Sequence, residues 1–175
     1  MKKAAADTSA LISLALSEKL ELIAETILLY ACGTVVNELE EMAEFKDHYG
    51  LAAKQALKLI KENKIKLEKT IDTKKAENLV DKNIDAGEAA CFVLALEKNI
   101  PAILMDDINA AYALSGFARA NNISLKISAA AIIELVKANK IEKTQAIKAL
   151  EKMIKNRGWE KSILQYLIEK YMKKL

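Results

Sequence analysis

Up to about residue 127 the sequence alternates between two textures. Short apolar or β-biased runs, KKAAAD (2–7), TILLYACG (26–33), KIKLEKTI (64–71), PAILMD (101–106) and ISLKI (123–127), take turns with longer stretches. In those stretches, such as SALISLALSE, VVNELEEMAEF, LAAKQALKLIKEN, KKAENLVDKN, GEAACFVLALEKN and NAAYALSGFARANN, apolar residues recur at helical spacing. Strand and helix in regular turn predict parallel α/β layers. From Ser128 onward the spacing is helical only, which predicts three more helices. The expectation is therefore a three-layer α/β/α unit with a mostly parallel sheet of four to five strands over residues 1–127. Residues 128–175 form a helical C-terminal extension packed on the same domain. A chain of 175 residues that is 52% hydrophobic has enough apolar material for one real core. The breakers agree: Asn99 and Pro101 suit the turn into a strand, Gly87 a helix start and Gly158 a helix C-cap.

Residue counts exclude several chemistries. Two cysteines, Cys32 and Cys91, and one histidine, His48, cannot make a disulfide framework or a structural zinc site. His48 lies in the polar stretch EFKDHYG and reads as a surface residue, which leaves no base for a histidine-dependent nucleophile. The five glycines form neither GxxxxGK nor GxGxxG. No targeting segment and no apolar run of about 20 residues is present, so no membrane is expected and the protein reads as cytoplasmic. Cys91, Phe92, Leu94 and Met105 sit at core-like spacing, and Trp159 reads as an anchor for the last helix.

Charge is unevenly spread. Residues 1–107 carry a net −5 and residues 108–175 a net +8, with 25 lysines and only two arginines, Arg119 and Arg157, in the whole chain. A basic surface beside an acidic pocket is one reading, and ordinary solvated helix faces are the other. The acids themselves have a pattern. Asp7 and the pair Asp106 and Asp107 each end a short apolar run, Glu38 lies on the first turns of a helix, and Glu88 opens another after Asp85 and Gly87. In an open parallel sheet these positions fall on the carboxyl edge, where ligands bind. Any one of them could be a helix cap. Together they would repel one another unless compensated, and a hard oxygen-liganded ion such as Mg²⁺ or Mn²⁺ is the natural compensation.

The segments AADTSALISLA, VVNELEEM, DAGEAACFVLALEKN and ILMDDINAAYA, in this order, resemble the PIN-domain nucleases, and within them the VapC-like branch with DxGEA and DDxxA signatures. The resemblance covers residues 4 to about 127, and the tail through RGW to the last helix is similar to the C-terminal part of that branch. It implies a PIN-like fold and an acidic metal site of Asp7, Glu38, Glu88 and Asp107. Asp85 and Asp106 are additional acids, and Ser9 is the hydroxyl that supports the first aspartate. The arginine expected after DDxxA is Ala111 here. A haloacid-dehalogenase-type phosphatase would need a second aspartate where Ser9 stands.

What the resemblance implies is a Mg²⁺- or Mn²⁺-dependent endoribonuclease that leaves a 5′-phosphate and a 3′-hydroxyl. Asp7, Glu88 and Asp107 would be metal ligands and Glu38 a ligand or a water-positioning acid. RNA is the implied substrate, with Lys137, Lys140, Lys148, Lys152 and Lys155 as candidates to bind it. An antitoxin protein is a further implied partner, as for the toxin of a toxin-antitoxin pair. A homodimer is also implied, for which the apolar face Ile163, Leu164, Leu167, Ile168 and Tyr171 offers a surface. The alternative of another class is a PIN-like domain that cleaves weakly or not at all and serves as an RNA-binding or assembly subunit. Ala111 favours it and the four acids oppose it.

Overall fold

A computed structural model describes residues 1–173 and 175. Five strands form one sheet: β1 (Lys3–Ala6), β2 (Leu28–Cys32), β3 (Ile65–Glu68), β4 (Ala102–Leu104) and β5 (Ser124–Lys126). Every pairing is parallel and the order is β3-β2-β1-β4-β5. Each short apolar run of the sequence thus holds one strand. Helices α1 (Thr8–Leu16), α2 (Leu20–Thr26), α3 (Gly33–Ala43), α4 (His48–Lys61), α5 (Thr73–Glu77), α6 (Ala86–Glu97) and α7 (Ile108–Ala120) cover the two faces as a three-layer α/β/α arrangement. The chain then continues as α8 (Ala129–Lys137), α9 (Lys143–Arg157) and α10 (Ile163–Met172).

The middle strand explains much of this geometry. β1 is almost pure alanine, and Ala4, Ala5 and Ala6 are fully buried although alanine favours helix over strand. Side chains this small let α6 close on β1, β2 and β4. α6 accordingly reads apolar all round, with every residue from Gly87 to Ala95 buried. Cys91, Phe92, Leu94 and Met105 are all core residues, and both cysteines are free and buried. The strand order reverses direction at β1: β2 and β3 lie on one side, β4 and β5 on the other. That switch point opens a crevice at the carboxyl ends of β1 and β4.

Two local details differ from the sequence pattern. The helix α2 occupies Leu20–Thr26, a stretch with no pattern of its own, and takes Thr26 from the start of the 26–33 run. Its seven residues bury only Leu20 and Ile23, too short a stripe to show a period. The segment 74–83 is helical only to Glu77. Beyond it Asp81 Oδ1 accepts from the backbone N–H of Asn83 and of Ile84, an Asx turn that competes with helix. The polar stretch around His48 opens α4: Asp47 caps the helix by accepting from Gly50 N–H and the helix starts at His48. His48 itself is exposed.

In the tail, Ile132, Leu135, Leu150, Met153 and Ile168 are buried in the same core as the sheet. Gly158 ends α9 in the left-handed region at φ 64°, which glycine adopts without steric cost. Trp159 is buried just after it. On α10, Leu164 and Ile168 are buried, Leu167 and Tyr171 half-buried, and Ile163 and Tyr166 exposed. Among the described residues no helix is long and apolar enough to cross a membrane.

Candidate active site

Asp7 follows β1 directly and caps α1. Its Oδ1 accepts from Ala10 N–H at 2.7 Å, and the Ser9 hydroxyl lies 3.0 Å from both of its carboxylate oxygens. Ser9 Oγ also accepts from the backbone N–H of Asp106 at 3.2 Å, so one hydroxyl ties the ends of β1 and β4 together. Asp106 points inward: its Oδ1 accepts from Ser128 N–H at 2.8 Å, and its Oδ2 is buried with no partner among the described residues. The next residue points the other way. Asp107 is exposed and caps α7, accepting from the N–H groups of Asn109 and Ala110.

Two helices bring the remaining acids. Asp85 and Glu88 form a capping box at the start of α6, with Glu88 N–H donating to Asp85 Oδ1 at 2.8 Å and Asp85 N–H donating to Glu88 Oε2 at 2.9 Å. Glu38 reaches across from α3 and accepts from the Thr8 hydroxyl. It rests over Gly87, so closely that a Cβ there would stand 2.4 Å from Glu38 Oε1. Gly87 therefore makes room for a carboxylate, a stronger reason than the helix start that the sequence suggested.

These groups line a cavity of about 260 Å³ whose walls include Asp7, Ser9, Glu38, Asp85 and Glu88. Asp107 is outside that lining, although its charge reaches Glu88. A larger and more open groove of about 680 Å³ between α7 and β5 includes Ala111, and no acid lines it. The electrostatics mark the smaller cavity. Burial first, then the neighbouring Asp106, pushes the Asp7 carboxyl well above the usual range. Burial likewise raises Asp106 and Glu38, and pushes Glu88 up to about 7. No ion pair among the described residues involves Asp7, Glu38, Glu88 or Asp106.

A family model described as PIN domain matches residues 3–173. The chain belongs to the PIN-domain family. That match spans the sheet and the helices after Ser128 alike, and no curated protein matches the chain. PIN domains have a nuclease-type fold, are generally hydrolases and generally use divalent metals.

Tested against this pocket, a divalent cation fits by chemistry. The donors on its wall are hard oxygens, and the raised carboxyls are what a nearby positive charge would lower; the orphaned Asp106 Oδ2 lies outside the lining. Among the described residues no group of three or more His, Cys, Asp and Glu stands at metal-holding spacing.

Two lining residues were not singled out for the pocket from the sequence. Thr8 sits inside the DTS motif and holds Glu38. Arg157 comes from the end of α9. The only signal for it was its rarity, one of two arginines among 25 lysines. Of the lysine candidates, Lys137 pairs with Glu134 at 2.9 Å and Lys152 pairs with Glu18, while Lys140, Lys148 and Lys155 are exposed.

Proposed function

We propose that this PIN domain is an endoribonuclease that hydrolyses phosphodiester bonds of RNA with the help of Mg²⁺ or Mn²⁺. The observation that supports it is the unpaired set of carboxylates, Asp7, Glu38 and Glu88 with Asp106 beneath, at the switch point of a parallel sheet. Asp7 and Glu88 would hold the ion, with Asp107 approaching from the rim and Asp85 fixing Glu88 through the capping box. When bound, the cation neutralises phosphate charge and acidifies a water.

The chain's own residues do the rest. Glu38, held by the Thr8 hydroxyl and by the bare backbone at Gly87, orients the attacking water and accepts its proton. The water oxygen forms the new P–O bond in line with the departing 3′-oxygen. The bond from phosphorus to that 3′-oxygen breaks, and the oxygen takes a proton from solvent water, giving a 3′-hydroxyl and a 5′-phosphate. Ser9 keeps the two strand ends at a fixed distance while this happens.

A role as the toxin of a toxin-antitoxin pair, with an antitoxin partner, belongs to the same reading and rests on the VapC-like motifs. So does a homodimer, for which the exposed Ile163 and Tyr166 on α10 offer contact surface. Single-stranded RNA incubated with the purified chain and Mn²⁺, then with excess chelator, tests the core proposal. Cleavage that stops on chelation and is absent in Asp7→Asn is expected. One observation favours the second reading, an RNA-binding or assembly subunit: Ala111 in place of the family arginine. RNA binding without cleavage at any metal concentration would establish it.

A further inference from the structure

The acidic pocket has one basic wall, and it comes from the other end of the sequence. Arg157 lines the same cavity as Asp7, Glu38 and Glu88. Its guanidinium carbon lies over two aromatic rings, 5.6 Å from the centroid of Tyr49 on α4 and 5.1 Å from that of Trp159. Such stacking suits the flat, weakly hydrated guanidinium and would suit a lysine less. Its Nε–H is buried and meets no acceptor among the described residues. A guanidinium beside several carboxylates that forms an ion pair with none of them, among the described residues, keeps its donors for something else.

The backbone around Arg157 is fixed from three sides. Asn156 Nδ2 donates to Leu16 O at the end of α1 at 3.1 Å. Asn156 O lies 3.2 Å from His48 Nε2 and accepts from the Tyr49 hydroxyl at 3.4 Å. Gly158 stops the helix one residue later. A base held this way loses little freedom when it meets a ligand.

We propose that Arg157 is a phosphate-binding residue of this pocket. Its guanidinium donates to the non-bridging oxygens of the phosphodiester that enters, and so brings through space the positive charge that Ala111 does not bring in sequence. The proposal rests on the nuclease reading for the identity of the ligand, but it concerns binding and can be tested without cleavage. Five N–H donors in a planar fork match two phosphate oxygens at once. The neighbouring carboxylates would repel a phosphate, and the guanidinium offsets that repulsion at the mouth of the cavity.

The test is fluorescence anisotropy of a labelled single-stranded RNA in the Asp7→Asn background, over a range of salt, with Arg157 intact, as Arg157→Met and as Arg157→Lys. Methionine keeps an apolar stem against Tyr49 and Trp159. The Met variant is expected to lose roughly tenfold in affinity, and its slope of log affinity against log salt is expected to fall by about 0.7, the value for one single-strand phosphate contact. Lysine is expected to keep the slope and lose a few-fold in affinity, because it has the charge without the fork. A Met variant that melts earlier yet binds with unchanged affinity and slope would overturn the proposal and make Arg157 a counter-charge for Asp106. If the Met variant does not fold, the Lys variant decides: a few-fold loss supports the contact and wild-type affinity overturns it. Absence of cleavage by the unmodified chain would sink the nuclease reading alone, since the anisotropy comparison stands without it.

Discussion

The acids of residues 1–107 and the bases of residues 108–175 are handled in opposite ways. Asp7, Asp106 and Glu88 are buried and in no ion pair among the described residues, and burial raises all three, with neighbouring carboxylates adding to the rise at Asp7 and Glu88. The lysines of α8 and α9 are spread over the surface, and where they meet an acid it is a single exposed or half-buried one, as in Lys137 with Glu134 and Lys152 with Glu18. Spread charges cost little and their ion pairs contribute little. Gathered buried charges cost stability, and a fold that keeps them has a use for them. Arg157 is the point where the two populations meet.

The largest expected effect separates activity from stability at Asp7. Replacing it with Asn keeps an oxygen for the Ala10 N–H but removes a buried negative charge. RNA cleavage is expected to drop by at least about a thousandfold, in line with loss of a metal-holding carboxylate. The melting temperature of the chelated protein at neutral pH is expected to hold or rise. Loss of stability together with full cleavage would reverse the assignment of Asp7 from site to scaffold.

Second in size is a dependence on pH that the lysines cannot produce. Glu88 has its pKa raised from 4.5 to about 7 in the folded chain, so between those values the native state binds more protons than the unfolded state. Stability of the chelated protein is therefore expected to fall as pH rises from about 4.5 to about 7, and then to level off for this group. Asp7 and Asp106, also raised, act in the same direction. Thermal melts across that range check the sign. Added Mn²⁺ is expected to restore several degrees near neutrality, where the carboxylates are charged, and little below the lower pKa.

Gly87→Ala sharpens the comparison from within the site. The new Cβ meets the flexible end of Glu38, so the fold is expected to survive while that carboxylate moves. A loss of roughly 10- to 100-fold in kcat, with the melting temperature nearly unchanged, is the expected result. Smallest is the effect of the lysines. Reversing the exposed Lys140, Lys148 and Lys155 to Glu is expected to weaken RNA binding several-fold at low salt, with the difference closing at high salt. Equal affinities at low salt would leave them as solvating groups.

What could be read from the sequence follows the physics of each element. All five strands were legible because each lies in a short apolar or β-biased run between helical stretches, even β1, where alanine argues against a strand and burial overrides it. The motif acids were legible as strand ends and helix starts. Asp106 and Asp107 were harder to tell apart. Adjacent residues leaving a strand point to opposite sides, and only the fold shows that Asp106 turns inward to Ser128 while Asp107 caps α7. Arg157 could not be placed at all, because nothing local in KNRGW encodes a contact with a cavity built from residues 7 to 88.

That separation along the chain also governs when the cavity comes into being. Its walls come from β1 and α1, then α3, then the start of α6, and finally the end of α9. Contacts so distant in sequence form late, after their loops have closed. A chain caught part-way through folding can hold its acids but not yet its basic wall. The pocket is therefore a property of the finished molecule, and an anion near an immature copy meets carboxylates that repel it.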